Sequence, residues 1–535
     1  MTSRFFNTAG PCRPDKHYML SATERLGDLL PLIAQESYFV VHAPRQSGKS
    51  TAMLALAAEL TASGNYAALL ATCEEGAPFG QDPGKAERAV VANLASNARL
   101  YLPEVLRPPA LAEAGGDGST LRLFLEAWCL ACPLPVVLFL DEIDALRDDA
   151  LLSVLRQLRA GYNNRPRAFP LCLALIGLRD VRDYKVATGG SSHLGRASPF
   201  NIKVASLTLR NFTHEEVARL YGQHTAATGQ PFAEGAVARA FDLTRGQPWL
   251  VNALAREATE KGVPDLAVAV TVADIDAAKE RLIVSRATHL DSLADKLREP
   301  RVRRVLEPIL AGAEGDPTLP PDDIDYCLDL GLVAREPGMA LAVANPIYRE
   351  VIPRELASVA ADFMPIPQRR WTLDDGKLDL DGLFLAFVDF WREHGEHMAR
   401  HQPYAEAAPQ LVLMAFLQRV VNGGGQIERE YGVGSGRIDL LIRWPLPPAP
   451  GVSERAPRAE DRHAIELKVW RPGKPDPLAK GLEQLEGYLA RLGLAQGVLV
   501  LFDRRPEAEV VAWEERPRWE DALTATGRGV RVLRL

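Results

Sequence analysis

Tyr38-Phe-Val-Val-His-Ala-Pro-Arg-Gln-Ser-Gly-Lys-Ser50 runs from an apolar stretch into a short polar loop, and the alanine- and leucine-rich Thr51 to Ser63 follows it. Tyr38 to Val41 is an unbroken apolar run, as expected of a strand covered on both faces of a parallel sheet. The residues after it have helical composition and no proline or glycine before Gly64, so the loop sits between a strand and a helix. A glycine followed by lysine and a hydroxyl residue at that junction turns backbone N–H groups and a helix N-terminus toward one point, where they cradle phosphate. Ala43, Pro44, Arg45, Gln46, Ser47 and Gly48 form the cradle, continued by Lys49, Ser50 and Thr51 in the first turn of the helix. Lys49 is placed to neutralise β- and γ-phosphates and the Ser50 hydroxyl to ligate Mg²⁺. Ala43 stands where the motif has its first glycine, and it adds only a methyl group. The predicted ligand is ATP with Mg²⁺.

A second stretch, Val136-Val-Leu-Phe-Leu-Asp-Glu-Ile-Asp144, supplies the other half of such a site. Its apolar strand delivers Asp141 at the carboxyl end, where ligands gather in open α/β sheets. Asp141 suits the Mg²⁺ shell, and Glu142 suits the orientation and polarisation of a water. Strands at Tyr66 to Thr72 and Leu171 to Ile176 alternate with helices, the pattern of a parallel α/β sheet. Thr213 to Ile283 then reads as wholly helical. Residues 291 to 357 read as helices with a hairpin, its arms Leu332 to Arg335 and Ala340 to Val343, which predicts a winged helix; Arg301-Val-Arg-Arg304 there is a candidate phosphate contact.

At 535 residues the chain exceeds one hydrophobic core. A hydrophobic content of 47% and a charged content of 24% describe an ordinary globular protein. The net charge of −7 excludes a chain that coats nucleic acid by bulk charge, though not a local basic groove. With no apolar run of membrane-spanning length and no signal-peptide layout, the expectation is a cytoplasmic protein without a membrane partner. The six cysteines are scattered, and Cys129-x-x-Cys132 lies in an apolar helical stretch with no second ligand pair, so it reads as core packing.

The first 290 residues resemble the AAA+/STAND group of P-loop ATPases, AAA-like proteins with a Pro-Arg-Gln…Gly-Lys-Ser loop among them. Asn7-Thr-Ala-Gly-Pro to Tyr18-Met-Leu is similar to the adenine-contacting entry segment of that group. Gly246-Gln-Pro248 looks like its G-x-P lid motif, which implies Pro248 as a nucleotide contact. The resemblance also implies a γ-phosphate sensor after the strand ending at Ile176, for which Arg179 and Asp180 are candidates, and an arginine finger, for which Arg182 and Arg196 are available.

The C-terminal residues carry a different pattern. In Arg437-Ile-Asp-Leu-Leu-Ile-Arg443, alternation puts Ile438, Leu440 and Ile442 on one face and Asp439 on the other. In Ala464-Ile-Glu-Leu-Lys-Val469, Glu466 and Lys468 oppose Ile465, Leu467 and Val469. If the two strands pair, Asp439, Glu466 and Lys468 converge: two carboxylates to hold Mg²⁺ against a scissile phosphate and a lysine to position water. Lys480, Gln484 and Tyr488 lie on one face of the next helix, with Leu482, Leu485, Leu489 and Leu492 on the opposite stripe. The set resembles the PD-(D/E)XK nuclease superfamily, with Gln484 and Tyr488 similar to the Q-x-x-x-Y element of its exonuclease-type branch. That resemblance implies Asp439, Glu466, Lys468 and Gln484 as catalytic residues, and a further carboxylate for which Glu406 and Glu430 compete.

The expected architecture is therefore an α/β P-loop NTPase with a parallel sheet, helical lid and winged helix, plus a separate restriction-endonuclease-like α/β domain. Its boundaries are 1–208 for the ATPase core, 209–290 for the lid, 291–360 for the winged helix, 361–400 for a linker and helix, and 401–535 for the nuclease-like domain. The expected function is an ATPase that regulates or drives a Mg²⁺-dependent nuclease acting on DNA, with RNA and homo-oligomerisation left open. The alternative is a nucleotide-switched scaffold whose C-terminal domain binds nucleic acid or a partner without cleaving.

Overall fold

The computed structural model describes residues 4–21, 25–110, 116–178, 202–285, 293, 295–310, 319–335, 341–363, 371–396, 407–421, 425–433, 436–447 and 459–535. The chain divides into two compact units, Met1–Ala278 with Asp329–Gly331, and Lys279–Leu328 with Leu332–Leu535.

The first unit is built on a five-stranded sheet of β1 (Tyr38–His42), β2 (Ala67–Thr72), β3 (Val136–Asp141), β4 (Cys172–Gly177) and β5 (Ala205–Thr208), in the order β2-β3-β4-β1-β5. All its pairings are parallel. Period-two alternation sends Tyr38, Val40, Leu138, Leu140, Leu173 and Leu175 to one face, against α3 (Pro83–Tyr101), α4 (Thr120–Ala131) and α5 (Asp148–Gly161). Phe39, Val41, Val137, Phe139, Ala174 and Ile176 go to the other, against α1 (Leu29–Ala34) and α2 (Lys49–Ala62). A strand covered on both sides must be apolar throughout, which is why these strands were legible as continuous runs. Cys129 is buried in the first of these clusters, as packing predicts. The short β5, only half-buried, carries no such run and was not anticipated. The helical region expected from Thr213 contains α6 (His214–Thr228), α7 (Ala236–Thr244), α8 (Pro248–Arg256) and α9 (Val272–Val284). Thr213 and Glu216 close a reciprocal capping box at the start of α6, which satisfies two of its orphan N–H groups.

In the second unit, α10 (Pro300–Leu310), α11 (Pro321–Asp329) and α12 (Pro346–Phe363) accompany the pair β6 (Val333–Ala334) and β7 (Ala342–Val343). The hairpin is thus shorter than the arms read from the sequence. Arg301 and Arg304 both bind Asp323, each at 2.7 Å, so these two cations of the candidate phosphate-binding run are committed inside the unit. A six-stranded sheet follows, β12-β13-β11-β10-β9-β8, made of β8 (Gln426–Val433), β9 (Gly436–Pro445), β10 (Glu460–Trp470), β11 (Gln496–Asp503), β12 (Arg518–Leu523) and β13 (Gly529–Arg534). β9 and β10 are antiparallel and β10 and β11 parallel. One face packs Leu440, Ile442, Ile465, Leu467 and Val500 against α13 (Leu380–Phe390) and α14 (Ala408–Val421). The segment read as linker and helix contributes Trp371, Leu383, Phe384, Phe387 and Trp391 to this core. The other face packs Leu441, Ala464, Leu499 and Val532 against α15 (Leu478–Leu492).

Lys279, 1% exposed, binds Glu350 at 2.7 Å and Glu280 at 3.1 Å, and Arg354 reaches both carboxylates at 3.2 and 3.4 Å. Burial works against the charge on Lys279, and Glu350 and Glu280 outweigh it, so its ammonium is held above the ordinary lysine range. A buried pair of this kind adds little against an apolar replacement, yet breaking one half strands the other. Lys279→Met is therefore expected to destabilise the unit by about 3–5 kcal/mol, and Lys279→Met combined with Glu350→Met to recover most of the loss. Thermal unfolding of the two variants measures it, and equal losses in both would contradict the pairing.

Candidate functional site

Gly48, at φ 82°, precedes α2 in the left-handed region, and Gln46, at φ 57°, is there too. Two such residues within three positions fold the loop tightly, and glycine carries the sharper turn without a Cβ penalty. The reversal brings Lys49 back over its own loop: Nζ donates to the carbonyls of Ala43 at 2.5 Å and Pro44 at 2.8 Å. Burial pushes the Lys49 ammonium down to about 8 despite Asp141 nearby. A cation so placed is relieved by an anion at the loop.

Parallel pairing sets Thr72 beside Asp141, and β4 lies between β3 and β1. Ser50 Oγ donates to Asp141 Oδ2 at 2.5 Å, joining the two residues predicted to share Mg²⁺. Asp141 Oδ1 accepts from the Glu142 N–H at 2.9 Å. Glu142 itself sits at φ 53°, so the chain turns sharply after the strand and presents its carboxyl beside the aspartate. Burial and the neighbouring Glu74 carboxyl raise the Glu142 pKa. Thr72 Oγ1 donates to Glu142 Oε2 at 3.1 Å, a contact the sequence reading missed because Thr72 looks like any strand-ending threonine.

These groups line a cavity of about 780 Å³ that includes Arg45, Lys49, Ser50, Asp141, Glu142 and Arg147. Its rim is tied together across the unit. Arg25 donates to the Ser47 carbonyl at 3.4 Å, Gln247 to the Gln46 carbonyl at 3.4 Å, and Thr51 Oγ1 accepts from the Cys12 N–H at 3.0 Å. Pro248 lies at the start of α8, where its missing N–H leaves no bond unmade, and lines an adjoining cavity with Gly48 and Thr51. Gly246 before it, at φ 70°, has no room for a Cβ against the Phe212 carbonyl. Ala43 is buried, with only the methyl group to accommodate. The sensor and finger candidates Arg179, Asp180, Arg182 and Arg196 lie outside the described residues.

In the second unit the β9–β10 ladder runs to the pair Leu440 and Ile465. Just beyond it, Asp439 Oδ2 accepts from the Leu467 N–H at 2.8 Å, and the Asp439 N–H approaches Glu466 Oε2 at 3.4 Å. Lys468 Nζ lies 2.5 Å from Glu466 Oε1 and 3.9 Å from Asp439 Oδ2. Asp439, Glu466 and Lys468 are thus together on one face. Glu466 is 1% exposed, and burial with the Asp439 charge beside it pushes its carboxyl up to about 7. Gln484 on α15 has a buried Oε1 without a partner. Tyr488 departs from the polar-face reading: it is buried with Leu485 and Leu489 in the layer between helix and sheet. A tyrosine's ring is large enough to be pulled into that layer even when its neighbours on the stripe are polar. Glu406 and the side chain of Glu430 lie outside the described residues.

The parallel five-stranded sheet, helices on both faces and the loop between β1 and α2 fit a P-loop NTPase fold. No protein-family model and no curated protein matches the chain. Among solved structures it is similar to a Walker-type ATPase of Pyrococcus abyssi (13% identity over 65% of this chain and 99% of that one, TM-score 0.47). It is also similar to the ORC2 protein of Aeropyrum pernix (11%, 64% and 94%, TM-score 0.40) and to the RuvB Holliday junction branch migration motor of Thermotoga maritima (16%, 62% and 93%, TM-score 0.33). At such TM-scores these likenesses carry no residue roles to this chain, whose site rests on its own geometry. No helix among the described residues is long and apolar enough to cross a membrane.

Thr72→Val keeps the shape of the side chain and removes the hydroxyl that donates to Glu142 and accepts from the Glu74 N–H at 3.1 Å. The expected result is unchanged ATP affinity with turnover lowered by up to about tenfold, the scale of one lost hydrogen bond. Steady-state hydrolysis and equilibrium nucleotide binding on the same preparation test it, and a loss confined to affinity would contradict the role.

Proposed function

We propose that this chain binds and hydrolyses ATP at the loop Ala43–Thr51, and that nucleotide occupancy times a metal-dependent nuclease in the C-terminal unit. What carries the first part is the half-buried Lys49 folded over its own loop beside the Ser50–Asp141 contact. The loop's N–H groups and Lys49 would hold the phosphates, and Ser50 and Asp141 would hold Mg²⁺. Bound there, the metal would neutralise charge on the phosphates. Glu142, held by Thr72, orients a water as its general base. Its carboxyl is exposed to the cavity side and raised by burial and Glu74, which suits a group that must accept a proton.

What supports the nuclease is the meeting of Asp439, Glu466 and Lys468 on one strand-paired face. Asp439 and Glu466 would hold Mg²⁺; a buried glutamate pushed toward neutrality by burial and a second carboxylate is the kind of group a divalent cation makes anionic again. The metal when bound polarises a phosphodiester oxygen. Lys468 positions the attacking water and stabilises charge on the phosphate, and Gln484, with a buried carbonyl oxygen lacking a partner, orients the strand or the water. DNA is the proposed substrate. The order of strands, antiparallel β9–β10 then parallel β10–β11 with α15 between them, is consistent with the restriction-endonuclease-like resemblance.

The test is incubation of the purified chain with end-labelled single- and double-stranded DNA and RNA, with Mg²⁺ or Mn²⁺, with and without ATP. Asp439→Ala and Glu466→Gln are expected to lower cleavage by roughly 100-fold or more, as when a transition-state charge stabiliser is lost, without changing ATP hydrolysis. Lys49→Ala is expected to abolish ATP binding and the ATP dependence of cleavage. No cleavage of any substrate by the wild type, or full cleavage by Asp439→Ala, overturns the nuclease.

A further inference from the structure

Trp470 ends β10 two residues beyond Lys468 and four beyond Glu466, so period-two alternation sets all three on one face of the six-stranded sheet. Register carries that face across the neighbouring strands. Lys468 stands opposite Leu501, Leu501 opposite Arg534 and Arg534 opposite Arg518. That row runs from β10 to β12 over about 14 Å, three inter-strand spacings. Trp470 stands opposite Asp503 in the next row. A cavity of about 290 Å³ lies there, lined among others by Trp470, Arg505, Arg516, Arg518 and Arg534. The Arg505 guanidinium covers the Trp470 ring at 3.3 Å from its centroid. Both are fixed: Arg505 donates to the two Asp503 carboxylate oxygens at 2.9 and 2.7 Å, and the Trp470 ring N–H to the Lys474 carbonyl at 3.0 Å. Asp476 and Glu520, also on the cavity wall, are taken by Arg534 at 2.9 and 3.0 Å. Arg516 spends its Nε on the Val511 carbonyl at 3.1 Å. Neither Arg516 nor Arg518 has a carboxylate partner among the described residues, and Glu507 borders the cavity, exposed and outside these pairs.

We infer that this cavity takes an unpaired base of the strand being cut. The base extends the Trp470–Arg505 stack, and the flanking phosphates lie along the row from Lys468 to Arg518. Aromatic rings and guanidinium planes are the surfaces on which unpaired bases stack, whatever their sequence. A base inside a duplex has its faces occupied by its neighbours, so the site selects single-stranded DNA or a frayed end over a blunt duplex. This rests on the nuclease reading of Asp439, Glu466 and Lys468. It adds to that reading a substrate class, single-stranded DNA, and the residue that grips it.

The experiment measures binding to the full chain, with Ca²⁺ in place of Mg²⁺ so that binding is read without cleavage. The probes are a labelled thymidine oligonucleotide, copies of it with one abasic residue moved along the strand, and a blunt duplex. In the wild type one position is expected to be sensitive, its abasic copy binding about 5- to 100-fold more weakly, the scale of one base stacked on an aromatic ring. Trp470→Leu keeps apolar bulk without a flat face. It is expected to bind the intact oligonucleotide as weakly as that copy and to lose the sensitivity, while Trp470→Phe keeps part of it and duplex binding is unchanged in both. Arg505→Ser, on the segment after β11, is expected to reduce the same sensitivity and serves where Trp470→Leu does not fold. No sensitive position in the wild type, or full sensitivity in folded Trp470→Leu (in Arg505→Ser where the former does not fold), overturns the inference. Cleavage by the wild type and its loss in Asp439→Ala then uphold the nuclease by themselves. A chain that binds neither oligonucleotide nor duplex overturns both.

Discussion

A half-buried ammonium in the first turn of the helix that follows a buried strand is the constraint on which the first unit turns. Lys49 follows a left-handed glycine, and the same turn that converges the loop's N–H groups folds its side chain back onto the carbonyls of Ala43 and Pro44. Burial lowers the pKa of that ammonium, and Asp141 nearby works the other way. The surrounding structure holds the loop in place. It does so by ties from distant parts of the chain: Arg25 to Ser47, Gln247 to Gln46, Cys12 to Thr51. Each joins the loop to a segment that also borders the adjoining cavity.

The sheet order explains why the carboxylates stand where they do. With β4 between β1 and β3, the loop and Asp141 are separated by one strand width, and the end of β4 adds Gly177 and Leu178 to the cavity wall. The Leu178 N–H in turn reaches Asp144 at 3.3 Å. Glu142 then needs a residue on β2 to hold it, and parallel register makes that residue Thr72.

The second unit uses a simpler device. Where the β9–β10 ladder stops, the Asp439 side chain takes over a backbone N–H that a further pair would have bonded. A carboxylate thus replaces a ladder carbonyl and is held rigidly beside Glu466 and Lys468. Such placement on strands fixes geometry more closely than a loop can. The apolar residues on the reverse face, Ile465 and Leu467, are buried in the core with α13 and α14, and that burial decides which face the charged residues occupy. A one-residue slip would invert it.

The sequence by itself determined the strand–loop–helix of Lys49, the strand that delivers Asp141, and the alternation that puts Glu466 and Lys468 on one face. These are local: periodicity of two, glycine at a turn and composition of a helix act over a few residues and leave their mark in the order of residues. Only the tertiary structure decided the rest. The strands β5, β8 and β12 have no continuous apolar run, because they are short or lie toward the sheet edges, and pairing with a neighbour is what makes them strands. Trp371 to Trp391, polar enough at its start to read as linker, is core because the sheet offers it an apolar face. Tyr488 is buried for the same reason. Thr72 and Arg25 are ordinary residues in the sequence, and their significance is a matter of what stands across from them: Glu142, 70 residues from Thr72, and Ser47 and Arg210, 22 and 185 residues from Arg25.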